Sequence, residues 1–316
     1  MLSYCCRFME TADTISVSER PQPELARVWQ SLPNKALFFG PLVFWLALFH
    51  FLGSSTWGYV KSDSLYRWFY FVTTTSADDG HCLYMPLVVL GLFWWKRKQL
   101  IEIPKAEWWP GLVWLGCGLL LHVIGYMVQQ NRISIIGFFV GMYGLMGLAW
   151  GPAWLRATVF PFFLLIFCVP LGTMAETLTF PLRLMVTTIS GWIGREILGI
   201  NVIRIGTQLF DPQRPDFQFD VAAACSGLRS LTVLAALTTI YAFVSFRLWW
   251  KRGLMLLFAV PLAVVGNVFR ITGVLVTAEA FGQKAGHVFH DMAGFLIFIL
   301  AIAGVMGFGM ALKEDK

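Results

Sequence analysis

The chain has 316 residues, 57% of them hydrophobic and 13% charged, with a formal charge of +6. That charged fraction is about half of what an average soluble domain carries, which excludes an ordinary soluble globule. The basic residues sit in short clusters beside apolar runs, the pattern of membrane topology signals, so the net charge does not describe a nucleic-acid-binding face.

Taken in chain order, residues 1–34 are polar, contain Glu10, Asp13, Glu19, Glu24 and several prolines, and lack a signal-peptide pattern; they read as a cytoplasmic tail. Residues 35–312 read as one integral-membrane domain. Apolar runs of about 20 residues recur through it, each long enough to cross about 30 Å of hydrocarbon as a helix. The alternating ten-residue segments of a membrane barrel are not seen. The fold class is therefore all-α, a polytopic helical membrane protein with about eight transmembrane helices. The predicted spans are 36–53, 83–95, 108–128, 133–151, 156–173, 222–244, 253–276 and 288–310. Cys117 and Cys168 fall inside apolar runs and read as small core hydrophobes.

Basic clusters orient the bundle. "WWKRKQ" (94–99) follows the second span, Arg156 lies between the fourth and fifth, and "FRLWWKR" (246–252) joins the sixth and seventh. Placing these inside puts both termini in the cytoplasm, with Trp94, Trp95, Trp249 and Trp250 in the interfacial belt. Residues 177–200 are apolar enough to tempt a ninth span. They carry Arg183, Arg195 and Glu196, which are costly at mid-bilayer, and counting them as a span would reverse the charge rule. The segment is expected to lie along the outer interface as an amphipathic helix. Two outer connections remain, 54–80 and 201–221, and the alternation around "DPQRP" in the second predicts a small extracytoplasmic hairpin.

This topology brings three groups to one depth. Cys225, in "DVAAACSGLRS" (220–230), stands about one turn inside its span on the outer side. Arg270, in "GNVFRITGVLV", lies about two turns below the outer end of the next span. His290, in "GHVFHDMAGF", lies about one turn into the last span, with His287 at its mouth. At 1.5 Å per residue all three fall within about 5–10 Å of the same outer boundary. Helix N-terminal amides favour a thiolate at Cys225, and an arginine two turns down calls for an anionic partner. Asn267 lies one turn before Arg270 on the same helical face, and Arg229 lies one turn beyond Cys225 on its own. Arg229 would hold a substrate carboxylate or pair within the bundle.

Such a set suits acyl transfer. A thiolate attacks a peptide carbonyl, an imidazole moves the proton to the leaving amine, and a guanidinium stabilises the developing oxyanion. Arginine stays protonated, so His290 is the proton-transfer candidate and Arg270 the electrostatic one. Ser226 is the rival nucleophile. The chemistry needs no cofactor, and His287 with His290 lacks a third ligand for a metal.

At these residues the chain resembles the exosortase/archaeosortase family of membrane-embedded cysteine transpeptidases. "ACSGLRS" (224–230) is similar to the nucleophile motif, "NVFR" (267–270) to the arginine motif, and "FHDMAGF" (289–295) to the histidine element, favouring His290 over His287. "DDGHCLYMPLVVLGLFWWKRK" (78–98) resembles a weaker signature in which a turn histidine, here His81, opens the second span. The resemblance implies a thiol protease of the bacterial inner membrane with its active site facing the periplasm. Its partners would be secreted proteins bearing a C-terminal PEP-CTERM-like tripartite sorting signal, membrane lipids, and a cell-surface acceptor linked to polysaccharide. The turn here reads "DDGH" where the family often carries Tyr-Ser before Gly-His, and the polar N-terminal tail is longer. Two other classes compete: a serine intramembrane protease using Ser226, and a non-enzymatic transporter or lipid-binding protein whose arginines hold an anionic solute. Transporters gather such groups at mid-membrane, whereas these gather near one face.

Overall fold

Hydrocarbon offers backbone amides no partner, so an apolar segment must close its hydrogen bonds within itself. The computed structural model, which describes residues 24–54, 62–76, 78–220 and 228–312, is accordingly dominated by helices. The first half contains α1 (Glu24–Gln30), α2 (Lys35–Phe51), α3 (Leu65–Thr75), α4 (Met85–Trp95), α5 (Arg97–Glu102), α6 (Gly111–Met127) and α7 (Asn131–Phe163). The second half contains α8 (Thr173–Trp192), strands β1 (Ile203–Ile205), β2 (Gln208–Asp211) and β3 (Arg214–Asp220), then α9 (Leu228–Ser245), α10 (Trp249–Phe281) and α11 (Gln283–Ala311).

This is the architecture of an α-helical membrane protein. Among the described residues, three stretches are long and apolar enough to cross a bilayer: Asn131–Cys168, Trp249–Phe281 and Gln283–Ala311. Gly80–Trp95, Gly111–Met127 and Leu231–Ser245 are apolar but shorter, and α1 and α2 meet at a 92° bend. The expected count of eight therefore does not follow from helix length alone.

The stretch from Asn131 carries a reversal. Gly151 takes φ 89°, ψ 174°, outside the helical region and open to glycine, and Pro152 starts the next helical turn. The Tyr143 hydroxyl donates to the Leu155 carbonyl at 2.8 Å, and the Tyr143 and Phe162 rings lie 5.1 Å apart. In one straight helix residues 12 apart are separated by about 18 Å. The two parts of α7 fold back on each other at Gly151, so the runs predicted at 133–151 and 156–173 are separate helices.

Two expectations are corrected. Cys117 is exposed on α6, whereas Cys168 is buried; lipid selects apolar residues on the outside of a bundle as the core does within. The segment expected to lie along the outer interface instead runs beside α10. Ser190 Oγ donates to the Val268 carbonyl, and a side chain at Gly194 would meet Leu275. Thr179 and Arg183 share a cavity wall with Val260 and Asn267. Its buried positions are Thr179, Arg183, Val186, Thr187 and Ser190, while Phe180, Met185 and Trp192 face outward. A helix with its polar stripe inward needs a packed neighbour for that stripe, and α10 supplies it.

The hairpin expected near "DPQRP" is a three-stranded antiparallel meander, order β1-β2-β3. It rests on the turn between α10 and α11. Arg214 pairs with Glu279 at the end of α10, and Gln283 donates to the Gln218 carbonyl. Phe217 and Phe219 join a core with Val186, Ile271 and Leu275. Asp211 ties the β2–β3 turn, accepting from the Gln213 amide at 2.9 Å and from Arg214 Nε at 2.6 Å. That amide, and after it the Arg214 guanidinium, holds its carboxyl below the ordinary carboxylate range. A depressed folded pKa contributes stability above the unfolded value that is lost as pH falls through the folded one. The β2–β3 turn is therefore expected to hold from neutrality down to the ordinary carboxylate range and to loosen only in stronger acid. Amide exchange at Gln213 measured against pH checks this; in Asp211→Asn the protection is weaker at neutral pH and its acid dependence disappears.

Candidate active site

α10 and α11 form an antiparallel pair turned at Gly282, whose φ of 87° suits glycine. The pairing places Arg270 and His290 on facing surfaces. Arg270 Nη2 lies 3.4 Å from His290 Nδ1. Nη2 and Nε also donate to the His290 carbonyl, at 3.1 and 3.3 Å. His290 is buried. A side chain at Gly294, one turn beyond His290, would stand 3.1 Å from Arg270 Nη2, so the missing Cβ makes room for the guanidinium.

Asn267 and Arg270 line a cavity of about 40 Å³ with Leu234 of α9 and Gly294 of α11. Asn267 also lines a second cavity, about 30 Å³, with Arg183 of α8 and Leu231 of α9. Each has room for about one water-sized group. Four helices thus meet around one asparagine. The much larger cavity, about 690 Å³, lies between α2, α4 and α7; aromatic and aliphatic side chains such as Phe69, Phe93 and Phe139 form most of its wall.

The other sequence candidates fall as follows. Cys225 and Ser226 lie outside the described residues, between the end of β3 and the start of α9, and the Arg229 side chain is outside them too. His287 is exposed and packs its ring 5.5 Å from that of Phe219 on β3. It belongs to the seat of the sheet rather than to the Arg270 cavity. His81 sits in the 3-10 turn Gly80–Leu83, with Nδ1 2.9 Å from the Asp78 carbonyl and Nε2 3.7 Å from Cys82 Sγ. None of these contacts reaches α10 or α11. Among the described residues no group of three or more His, Cys, Asp or Glu side chains is placed to hold a metal ion. Sequence reasoning treated Arg183 only as a cost. The signal that would have flagged it is the spacing of Thr179, Arg183, Thr187 and Ser190, one polar face of a helix.

Fold and site define a class: an α-helical membrane protein in which an arginine, a histidine and an asparagine are brought together between helices. The transmembrane exosortase family (Exosortase_EpsH) matches residues 71–307, three quarters of the chain, and the chain belongs to that family. The match runs from α3 to α11 and includes the stretch holding Cys225, Arg270 and His290. No curated protein and no solved structure matches the chain.

Proposed function

We propose that this chain is a cysteine transpeptidase that cleaves the C-terminal sorting signal of secreted proteins at the outer face of the bacterial inner membrane. The thioester it forms is passed to a surface acceptor. The observation that carries the reading is the Arg270–His290 contact next to Asn267, in a family of transmembrane exosortases. Cys225 is the nucleophile. Leu231, six residues after it, lines a cavity with Asn267.

The steps balance without a cofactor. The Cys225 proton passes to the His290 lone pair, and the thiolate forms an S–C bond with the substrate carbonyl carbon. Arg270 stabilises the resulting oxyanion. As the intermediate collapses the C–N bond breaks, and the imidazolium gives its proton to the departing amine. An acceptor amine, hydroxyl or water then attacks the thioester, His290 takes its proton, and the thiol returns.

Both termini inside fit this reading. Burial, and after it the nearby Arg252 charge, pushes the Lys96 ammonium below its ordinary value. Lys251, near the start of α10, donates to the Leu312 carbonyl. The sheet and the Arg270 centre lie towards the other end of α10.

The test is co-expression with a tagged secreted protein and mass measurement of its new C-terminus. Wild type is expected to give a cleaved, modified end. Cys225→Ala is expected to lower processing at least about 10³-fold, since removing a nucleophile removes the covalent route. Processing that survives in Cys225→Ala and is lost in Ser226→Ala would replace the thiol with the hydroxyl. No cleavage of any tagged protein by wild type would favour a solute-binding role.

A further inference from the structure

A guanidinium within a membrane bundle is costly, and such groups gather where they act. Arg183 is 5% exposed, whereas Arg195, farther along the same segment, is exposed beside Glu196. It lies on the inward stripe of α8 with Thr179, and its Nη2 donates to Thr179 Oγ1 at 3.4 Å. The stripe faces α10 where Asn267 divides two cavities: Arg183 lines one, Arg270 the other, and Asn267 with Ala263 lines both.

We propose that Arg183 is a positioning residue that orients the Asn267 side-chain amide, so that its N–H₂ joins Arg270 as a donor to the oxyanion; this rests on the transpeptidase reading above. The reason lies in the donor inventory. Both arginines donate only, while the asparagine amide has one acceptor oxygen and one nitrogen with two hydrogens. With Arg270 alone nearby, the amide oxygen turns towards it, and the two groups satisfy each other instead of the substrate. Arg183, from the opposite cavity, draws that oxygen to itself, directly or through one water, for which about 30 Å³ is enough. The Asn267 N–H₂ then faces the Arg270 cavity. Two preorganised donors aimed at one developing charge form the arrangement that accelerates acyl transfer.

The experiment measures kcat and KM for tag cleavage by the purified full chain in Arg183→Gln, Asn267→Ala, the double variant and Cys225→Ala. Arg183→Gln is expected to lower kcat about tenfold or more with KM within about twofold, because an oxyanion donor acts in the transition state alone. The double variant is expected to be no slower than Asn267→Ala, since Arg183 has nothing left to orient. Arg183→Lys keeps the charge but loses the planar fork, and is expected to recover part of the rate. Wild-type kcat in Arg183→Gln overturns the proposal, as does a double variant whose loss is the product of the two single losses. If Arg183→Gln does not accumulate, Arg183→Lys paired with Asn267→Ala gives the same comparison; if neither does, Arg183 is a folding residue and the proposal fails. Cys225→Ala separates the two ideas: cleavage surviving there overturns both, whereas its loss beside a full-speed Arg183→Gln overturns only the role of Arg183.

Discussion

Replacing Arg270 by glutamine is expected to lower the cleavage rate about 10²–10³-fold while substrate affinity changes little. The figure is what loss of one oxyanion-stabilising donor costs in a water-poor site. The split follows because charge on the carbonyl oxygen exists only in the transition state, so the interaction contributes to kcat rather than to KM. Geometry makes this arginine hard to replace. It holds the His290 carbonyl through both Nε and Nη2 while Nη2 also faces Nδ1, and the bare Gly294 backbone lets the planar group lie flat against α11. A lysine presents a point charge without the fork. Arg270→Lys is expected to fall between wild type and Arg270→Gln, with a loss of about tenfold, of the order of 1.4 kcal/mol in barrier. Steady-state cleavage of a tagged substrate by the three proteins decides it; Arg270→Gln working at wild-type speed would remove the arginine from the chemistry.

That Arg270 and His290 come close was legible from the ends of the predicted spans 253–276 and 288–310; the structure extends both helices to a one-residue turn at Gly282, which puts the two residues deeper than expected. Counting residues from such a turn gives depth directly at 1.5 Å per residue. Depth is not direction, however. His287, three residues from His290, points to β3 instead of α10, and only the packing of Phe219 reveals that. The α8 segment was misjudged because Arg183, Arg195 and Glu196 were counted as a cost to the whole helix, whereas the stripe of Thr179, Arg183, Thr187 and Ser190 is a property of one face. Cys117 was misjudged for a different reason. In a soluble protein an apolar run implies a core, but lipid is as apolar as leucine, so hydropathy does not tell the inside of a membrane bundle from its outside. Small residues do tell them apart. Gly111, Gly118 and Gly125 recur every seven residues along α6, a pattern that escaped notice as a repeat, and they mark its inner face.

That face carries the second large effect, on folding. Gly118→Val is expected to destabilise the bundle by at least about 1–3 kcal/mol, the usual cost of overpacking, because the atoms in the way cannot rotate aside. A Cβ at Gly118 would stand 2.6 Å from the Gly141 amide nitrogen, 2.7 Å from the Gly137 carbonyl oxygen and 2.8 Å from the Gly141 Cα, all of them backbone. Gly111 and Gly144 meet the opposite helix in the same way, against the Leu148 and Leu115 nitrogens. With no hydrophobic gain to be had between helices in lipid, their association depends on close van der Waals contact, and holding the backbones apart removes it along the whole of α6 and the first part of α7. Gly116 provides the control: nothing lies within 4 Å of the Cβ it lacks. Gly116→Val is expected to cost well under 1 kcal/mol, like a substitution on a surface that touches no neighbour. Denaturation midpoints of the two variants, measured in the same detergent, make the comparison. Equal midpoints would dissolve the glycine interface. The same pair separates fold from chemistry, because this interface contributes no residue to the Arg270 cavity: Gly118→Val is expected to reduce the amount of folded protein while each folded molecule keeps its cleavage rate.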